Sequence, residues 1–138
     1  ALFSILHDVG NIIVGGDLNR TTIMGGIDIG EDFLLDTADD AQWGDLFMLG
    51  LMVKGDMIDS SISAGISPNG LFFGDGDDTA TTNHIGTARI LKVIVRGEIS
   101  STLLPGESYA ISADDGIDRI LSQEQDFLGN EGVIVQEF

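Results

Sequence analysis

The sequence predicts an all-β protein, a parallel β-helix or β-solenoid built from repeats of about 40 residues. Three observations predict it. The chain is similar to itself at a fixed spacing of 39. Each copy alternates apolar and other residues with the period of a strand. Gly and Asp punctuate these short runs, and a helical period of useful length is absent. A stacked arrangement is expected because one 40-residue β unit cannot bury its own apolar face. The alternative is a Greek-key β-sandwich, which would also show short strands at regular spacing but would not need gapless repetition.

The first copy is Ile12–Asp28 and the second is Leu51–Ser67. Six of the 17 aligned positions are identical: Val14/Val53, Gly16/Gly55, Asp17/Asp56, Ile23/Ile62, Gly26/Gly65 and Ile27/Ile66. Composition alone would give roughly one or two. The register runs on through Phe33/Phe72, Asp36/Asp75 and Asp39/Asp78. A third, weaker copy lies 42 residues further on, from Val93 to Thr102, and diverges at Leu103-Leu104-Pro105-Gly106. The repeats are placed at about 9–47, 48–89 and 90–116 within a single repeat domain over 1–138, with a C-terminal segment at 117–138. That segment carries a partial echo in Gly132-Val133-Ile134-Val135.

Taken in chain order, Leu2-Phe3-Ser4-Ile5-Leu6 reads as an apolar strand without a polar cap. Ile12-x-Val14, and later Val93-x-Val95, have strand alternation. The Gly-Asp that follows signals a turn, since Gly reaches positive φ freely and Asp can bond its own backbone. A short strand around Ile23 or Ile62 comes next. Only Asp118 to Phe127 has room for a turn or two of helix. If equivalent strands stack about 4.8 Å apart, like side chains lie above one another. Val14, Ile23, Val53, Ile62, Val93 and Val95 are therefore expected to be buried.

The pattern resembles the repeats of large secreted planctomycete-type proteins. In these, Ile-x-Val-x-Gly-x-Val-x-x-Ser-x-Φ-x-Ala-Gly-Φ (Φ, apolar) precedes an acidic loop of the type Phe-Phe-Gly-Asp-Gly-Asp-Asp. The matching residues are Met52 to Met57, Ser60 to Ile66, Phe72 to Asp78, and Ile85-Gly86. The likeness covers roughly 9–113, and Pro105-Gly106-Glu107 departs from it. The resemblance implies a surface-exposed β-solenoid and no particular ligand.

Composition narrows the partners. Asp and Glu total 23 against 6 Lys and Arg, a formal charge of −17. Such a surface repels nucleic acid and anionic lipid, and it repels itself unless cations or salt screen it. Neither a nucleic-acid partner nor membrane insertion is expected, since no apolar run approaches the length of a membrane helix. Absence of Cys excludes disulfides and a Cys zinc site. The chain starts at Ala1 without an initiator Met and is expected to be a mature, trimmed or excised product.

The acids gather in Gly-rich turns. Gly74-Asp75-Gly76-Asp77-Asp78-Thr79 resembles the calcium turns of β-roll repeats, where Gly lets carboxylates and carbonyls converge on a hard cation. Asp36-Thr37-Ala38-Asp39-Asp40 is the equivalent loop of the preceding repeat. Asp36, Asp39, Asp40, Asp75, Asp77 and Asp78 are thus the expected Ca²⁺ ligands; plain exposed turns are the other reading. The spacing is not that of an EF-hand, because position 12 from Asp75 is Gly86. Asp17, Asp56 and Glu98 read as caps of their own turns. His7 and His84 stand in unrelated contexts, and Ser61 and Ser101 follow the strand repeat rather than any nucleophile motif.

The function expected is an extracellular, cell-surface structural or adhesive module, not an enzyme, self-associating through strand edges or solenoid ends into a filament or layer. A carbohydrate-binding module is the alternative, with Trp43, Tyr109, Phe72 and Phe73 as a possible platform for glycans. A β-helical polysaccharide-degrading enzyme is the weaker one, since six basic residues offer little to an acidic sugar.

Overall fold

The computed structural model describes residues 1–32, 37–39, 41–42, 45–67, 79–80, 87–102, 109–122 and 126–128. Sixteen strands occur among them. The first six are β1 (Leu2–Ile5), β2 (Val9–Val14), β3 (Leu18–Asn19), β4 (Thr22–Gly25), β5 (Ile27–Asp28) and β6 (Ala41–Gln42). Then come β7 (Leu46–Val53), β8 (Met57–Ile58), β9 (Ser61–Ala64), β10 (Ile66–Ser67) and β11 (Thr79–Ala80). The last are β12 (Ala88–Val95), β13 (Ile99–Ser100), β14 (Ala110–Ala113), β15 (Ile117–Leu121) and β16 (Asp126–Leu128). The described residues contain no helix, so none is long and apolar enough to cross a membrane.

The main strands form three successive triplets: β2–β3–β4, β7–β8–β9 and β12–β13–β14. Each strand pairs in parallel with its counterpart in the next triplet, which makes three parallel sheets. Their orders are β1-β4-β9-β14, β16-β15-β12-β7-β2 and β13-β8-β3, with β16 the antiparallel exception, on β15. Between the first two triplets the register is a constant 39, as in Ile12↔Leu51, Leu18↔Met57 and Ile23↔Ile62. Between the second and third it is 42 in two sheets, as in Val93↔Leu51 and Ile99↔Met57.

Like side chains therefore stack. Val14, Val53 and Val95 lie in one row, and Ile23, Ile62 and Ile111 in another. Val53, Ile62, Val93 and Val95 are buried, as is Ile23. Val14 is only half-buried, because β2 is the last strand of its sheet and nothing lies on its far side. The core also takes Leu46, Met48, Leu51, Met57, Ile90, Ile117 and Ile120. Along β7 Leu46 and Met48 point inward and Phe47 and Leu49 are exposed; the alternation then shifts by one residue at Gly50, so that Leu51 and Val53 point inward again.

Two backbone kinks recur at equal places. Gly26 and Gly65 end the third strand of their triplets with φ of +74° and +69°, a region only glycine enters without steric cost. Arg20 and Asp59, also 39 apart, both sit at φ +45°, uncommon for residues with a Cβ. The turn between second and third strands is thus built identically in the first two triplets.

One expectation needs correction. Asp118–Phe127 shows none of the helical turns allowed for it among its described residues: β15 covers Ile117–Leu121 and β16 begins at Asp126. Ile117 and Ile120 point inward onto Ile90 and Val93 of β12, so tertiary burial overrides a short local preference. The third copy, whose sequence diverges at Leu103-Leu104-Pro105-Gly106, resumes the strand pattern further on. Ala110-Ile111-Ser112-Ala113 forms β14 on β9, with the offset grown to 49. β15, in the C-terminal segment, adds a strand outside the repeated pattern and follows β12 at an offset of 27. The echo at 132–135 lies outside the described residues.

Candidate functional site

The feature most repeated along the stack is an aspartate that reaches the backbone of the next strand. Asp17 Oδ1 accepts the Asp56 N–H at 2.9 Å, and Asp56 Oδ1 accepts the Glu98 N–H at 2.9 Å. These acids were expected to cap their own turns. They cap the equivalent turn of the following triplet instead, because the parallel register brings an N–H donor directly over each carboxylate. Gly55 and Gly97 make the room. A Cβ on Gly55 would collide with Asp17 Oδ1, and one on Gly97 would collide with Asp56 Oδ1 and lie 2.8 Å from the Gly55 backbone. The Gly-Asp dipeptide is therefore a two-part joint, the Gly receiving from one side and the Asp donating charge to the other.

One further row of acids, and two single acids, bond to backbone in the same way. At the start of the long strands, Asp8 Oδ1 accepts the Phe47 N–H at 2.8 Å and Asp45 Oδ1 the Thr87 N–H at 2.9 Å. Asp115 Oδ2 accepts the Ala88 N–H at 2.6 Å. Asp59 takes both the N–H and the hydroxyl of Thr102, at 2.7 and 2.8 Å. Among the described residues, six aspartates thus bind backbone N–H groups 27 to 43 residues away. Bonds from N–H to a carboxylate are stronger than neutral ones, so these acids tie the sheets together where turns leave donors unpaired.

Asp59 is the most enclosed of them. Its side chain is fully buried, with the Arg20 guanidinium 4.0 Å away. Burial pushes its carboxyl upward, but the Thr102 N–H and hydroxyl, the Ser101 hydroxyl and the Arg20 charge outweigh it and hold the group below the usual aspartate range. Arg89 and Asp118 form a second ion pair, across β12 and β15, with Arg89 Nε donating to Asp118 Oδ1 at 2.9 Å.

Of the six expected calcium ligands, Asp36, Asp40, Asp75, Asp77 and Asp78 lie outside the described residues. Asp39 is described. Its Oδ1 accepts the Thr37 hydroxyl at 2.6 Å and its Oδ2 the Glu31 N–H at 3.0 Å. The Thr37 bond first and the Glu31 bond second hold its carboxyl below the usual range. Among the described residues no group of three or more His, Asp or Glu side chains converges as a metal site would. His7 is exposed, Ser61 is buried in β9, Ser101 serves Asp59, and Tyr109 is half-buried. His84, Trp43, Phe33, Phe72 and Phe73 lie outside the described residues.

The reaching aspartates escaped sequence reasoning, although one signal was present: Gly-Asp recurs at the same step as the apolar rows. Compared with known proteins, the chain matches no family model, no curated protein and no solved structure.

Proposed function

We propose that this chain is a parallel β-solenoid of about 40-residue repeats, a single repeat domain over 1–138 that serves as an extracellular structural or adhesive module. Copies self-associate through the solenoid ends into a filament or surface layer. One observation carries the reading: each triplet is bonded to the next by the same Gly-Asp contact, a joint whose sole evident product is stacking. A protein organised around a joint of this kind is a scaffold. The exterior setting rests on the resemblance to large secreted repeat proteins and on the acidic composition. Ca²⁺ bound at Asp36, Asp39, Asp40, Asp75, Asp77 and Asp78 is part of the same proposal and would relieve the repulsion among these loops.

The test is association. Sedimentation velocity and negative-stain microscopy over a wide range of concentration, in moderate salt with Ca²⁺, are expected to show concentration-dependent elongated assemblies. Monomers alone at the highest concentration would overturn the assembly claim. Glycan-array binding that depends on Trp43 or Tyr109 would replace it with a carbohydrate-binding role.

A further inference from the structure

The sheet that holds β2, β7, β12 and β15 turns a face away from the core whose chemistry is unlike the rest of the chain. Ile13, Met52, Ile94 and Leu121 face outward there, aligned in one row by the strand register. Phe47 and Leu49 stand beside them, 38% and 52% exposed. β7 and β12 have strands on both sides, so this exposure belongs to the face and not to an edge. The same face gathers the bases. Arg89 and Lys92 lie on β12, Arg119 lies on β15, and Lys54 and Arg96 directly follow β7 and β12. These are five of the six basic residues and both of the lysines. The four strands carry one acid, Asp118, and Arg89 already holds it. Lys92 stands directly opposite Arg119, and Lys54 and Arg96 follow the paired Val53 and Val95. Like charges so placed repel. Lys54, Lys92 and Arg96 are exposed and form no ion pair with any described residue.

We infer that this basic and apolar face docks sideways on an acidic surface of a second copy of this chain. Charge specifies the occupant. Acids outnumber bases 23 to 6, and with five bases drawn to one face the only basic side chain left elsewhere is Arg20, which lies at Asp59. Glu31, Asp32 and Glu98 are among the exposed acids. Each copy therefore carries both halves of a complementary contact. The apolar row supplies area to bury, and the bases offset locally the repulsion that two chains of charge −17 feel. A contact between unlike surfaces is heterologous, so it propagates instead of closing on a pair. The inference rests on the self-associating scaffold proposed above. It adds a lateral contact to the one at the solenoid ends, and two directions of contact are what a layer needs beyond a filament.

An equal mixture of unlabelled and isotope-labelled full chain is treated with a carbodiimide, which joins lysine amines to carboxylates in contact, and the linked peptides are read by mass spectrometry. Lys54 and Lys92 are the only lysines, so every lysine cross-link reports on this face. Cross-links from Lys54 or Lys92 of one isotope to Asp or Glu of the other are expected. Leu49→Gln is expected to weaken association, followed by sedimentation velocity, about tenfold. It leaves the melting temperature unchanged, because Leu49 is half exposed. Lysine cross-links confined to single chains, or association indifferent to Leu49→Gln, overturn the inference. So does protection of both lysines from acetylation by an anionic polysaccharide in the absence of mixed cross-links, which would give the face to that ligand. Should Leu49→Gln lower the melting temperature, the cross-links decide alone. Elongated assemblies without mixed lysine cross-links refute the lateral contact and leave end-to-end stacking intact; mixed cross-links in a chain that forms no elongated assembly do the reverse.

Discussion

A glycine before an aspartate ordinarily reads as a turn. In this chain the pair spans two turns, and each residue answers to a different neighbour. Gly55 is small because Asp17 needs the space; Gly97 is small because both Asp56 and the Gly55 backbone press on it. Gly55→Ala is expected to cost about 1–3 kcal/mol. Gly97→Ala should be worse, since a backbone cannot swing aside as a carboxylate can. Gly15→Ala, in open space, should be silent. Urea melts of the three variants check the order, and equal stabilities would remove the joint from the account. Asp59 gives a pH prediction at the same scale. Its carboxyl is held below the ordinary value, so its contribution is fully present above the unfolded value near 3.9 and is lost as pH falls through the lower folded value. The melting temperature is expected to drop below about pH 4, and Asp59→Asn should flatten that drop. Thermal melts of both proteins from neutral to acidic pH decide it.

At the scale of the element, the short strands β4, β9 and β14 hold their place through one row of isoleucines. Ile62 lies between Ile23 and Ile111 and is fully buried. Ile62→Ala is expected to destabilise by about 2–5 kcal/mol through a cavity that neighbours locked in parallel register cannot close. Ile13→Ala, on an exposed position, should be nearly neutral. Chemical denaturation that found the two alike would show that the row is not the core of this sheet. The kinks at Gly26 and Gly65 belong to this scale too, since positive φ there redirects the chain from β4 to β5 and from β9 to β10.

For the whole molecule, the charge of −17 has two components. Some aspartates spend their charge on N–H groups of the next triplet and lose nothing in the absence of metal. On the proposed reading, the acids Asp36, Asp39, Asp40, Asp75, Asp77 and Asp78 are the part a cation would relieve. A melt in about 1–5 mM CaCl₂, against EDTA with MgCl₂ as the charge control, separates them. A Ca²⁺-specific rise in melting temperature is the expected outcome. An equal rise with Mg²⁺, or none, would assign all the acids to backbone bonding and screening.

The sequence by itself determined the strand class and the stacking partners of Val14, Val53 and Val95 and of Ile23 and Ile62. Parallel in-register pairing sets like residues over like, so a constant offset of 39 is written directly as identity. It could not place β14, where Ile111-Ser112-Ala113 repeats Ile62-Ser63-Ala64 but the offset has moved from 42 to 49. It misjudged β15, whose inward Ile117 and Ile120 are meaningful only against Ile90 and Val93. The direction of Asp17 and Asp56 was likewise decided by tertiary structure alone. An aspartate's local options all lie within its own turn, whereas the donor it serves arrives 39 or 42 residues later, brought there by the pairing of the sheets.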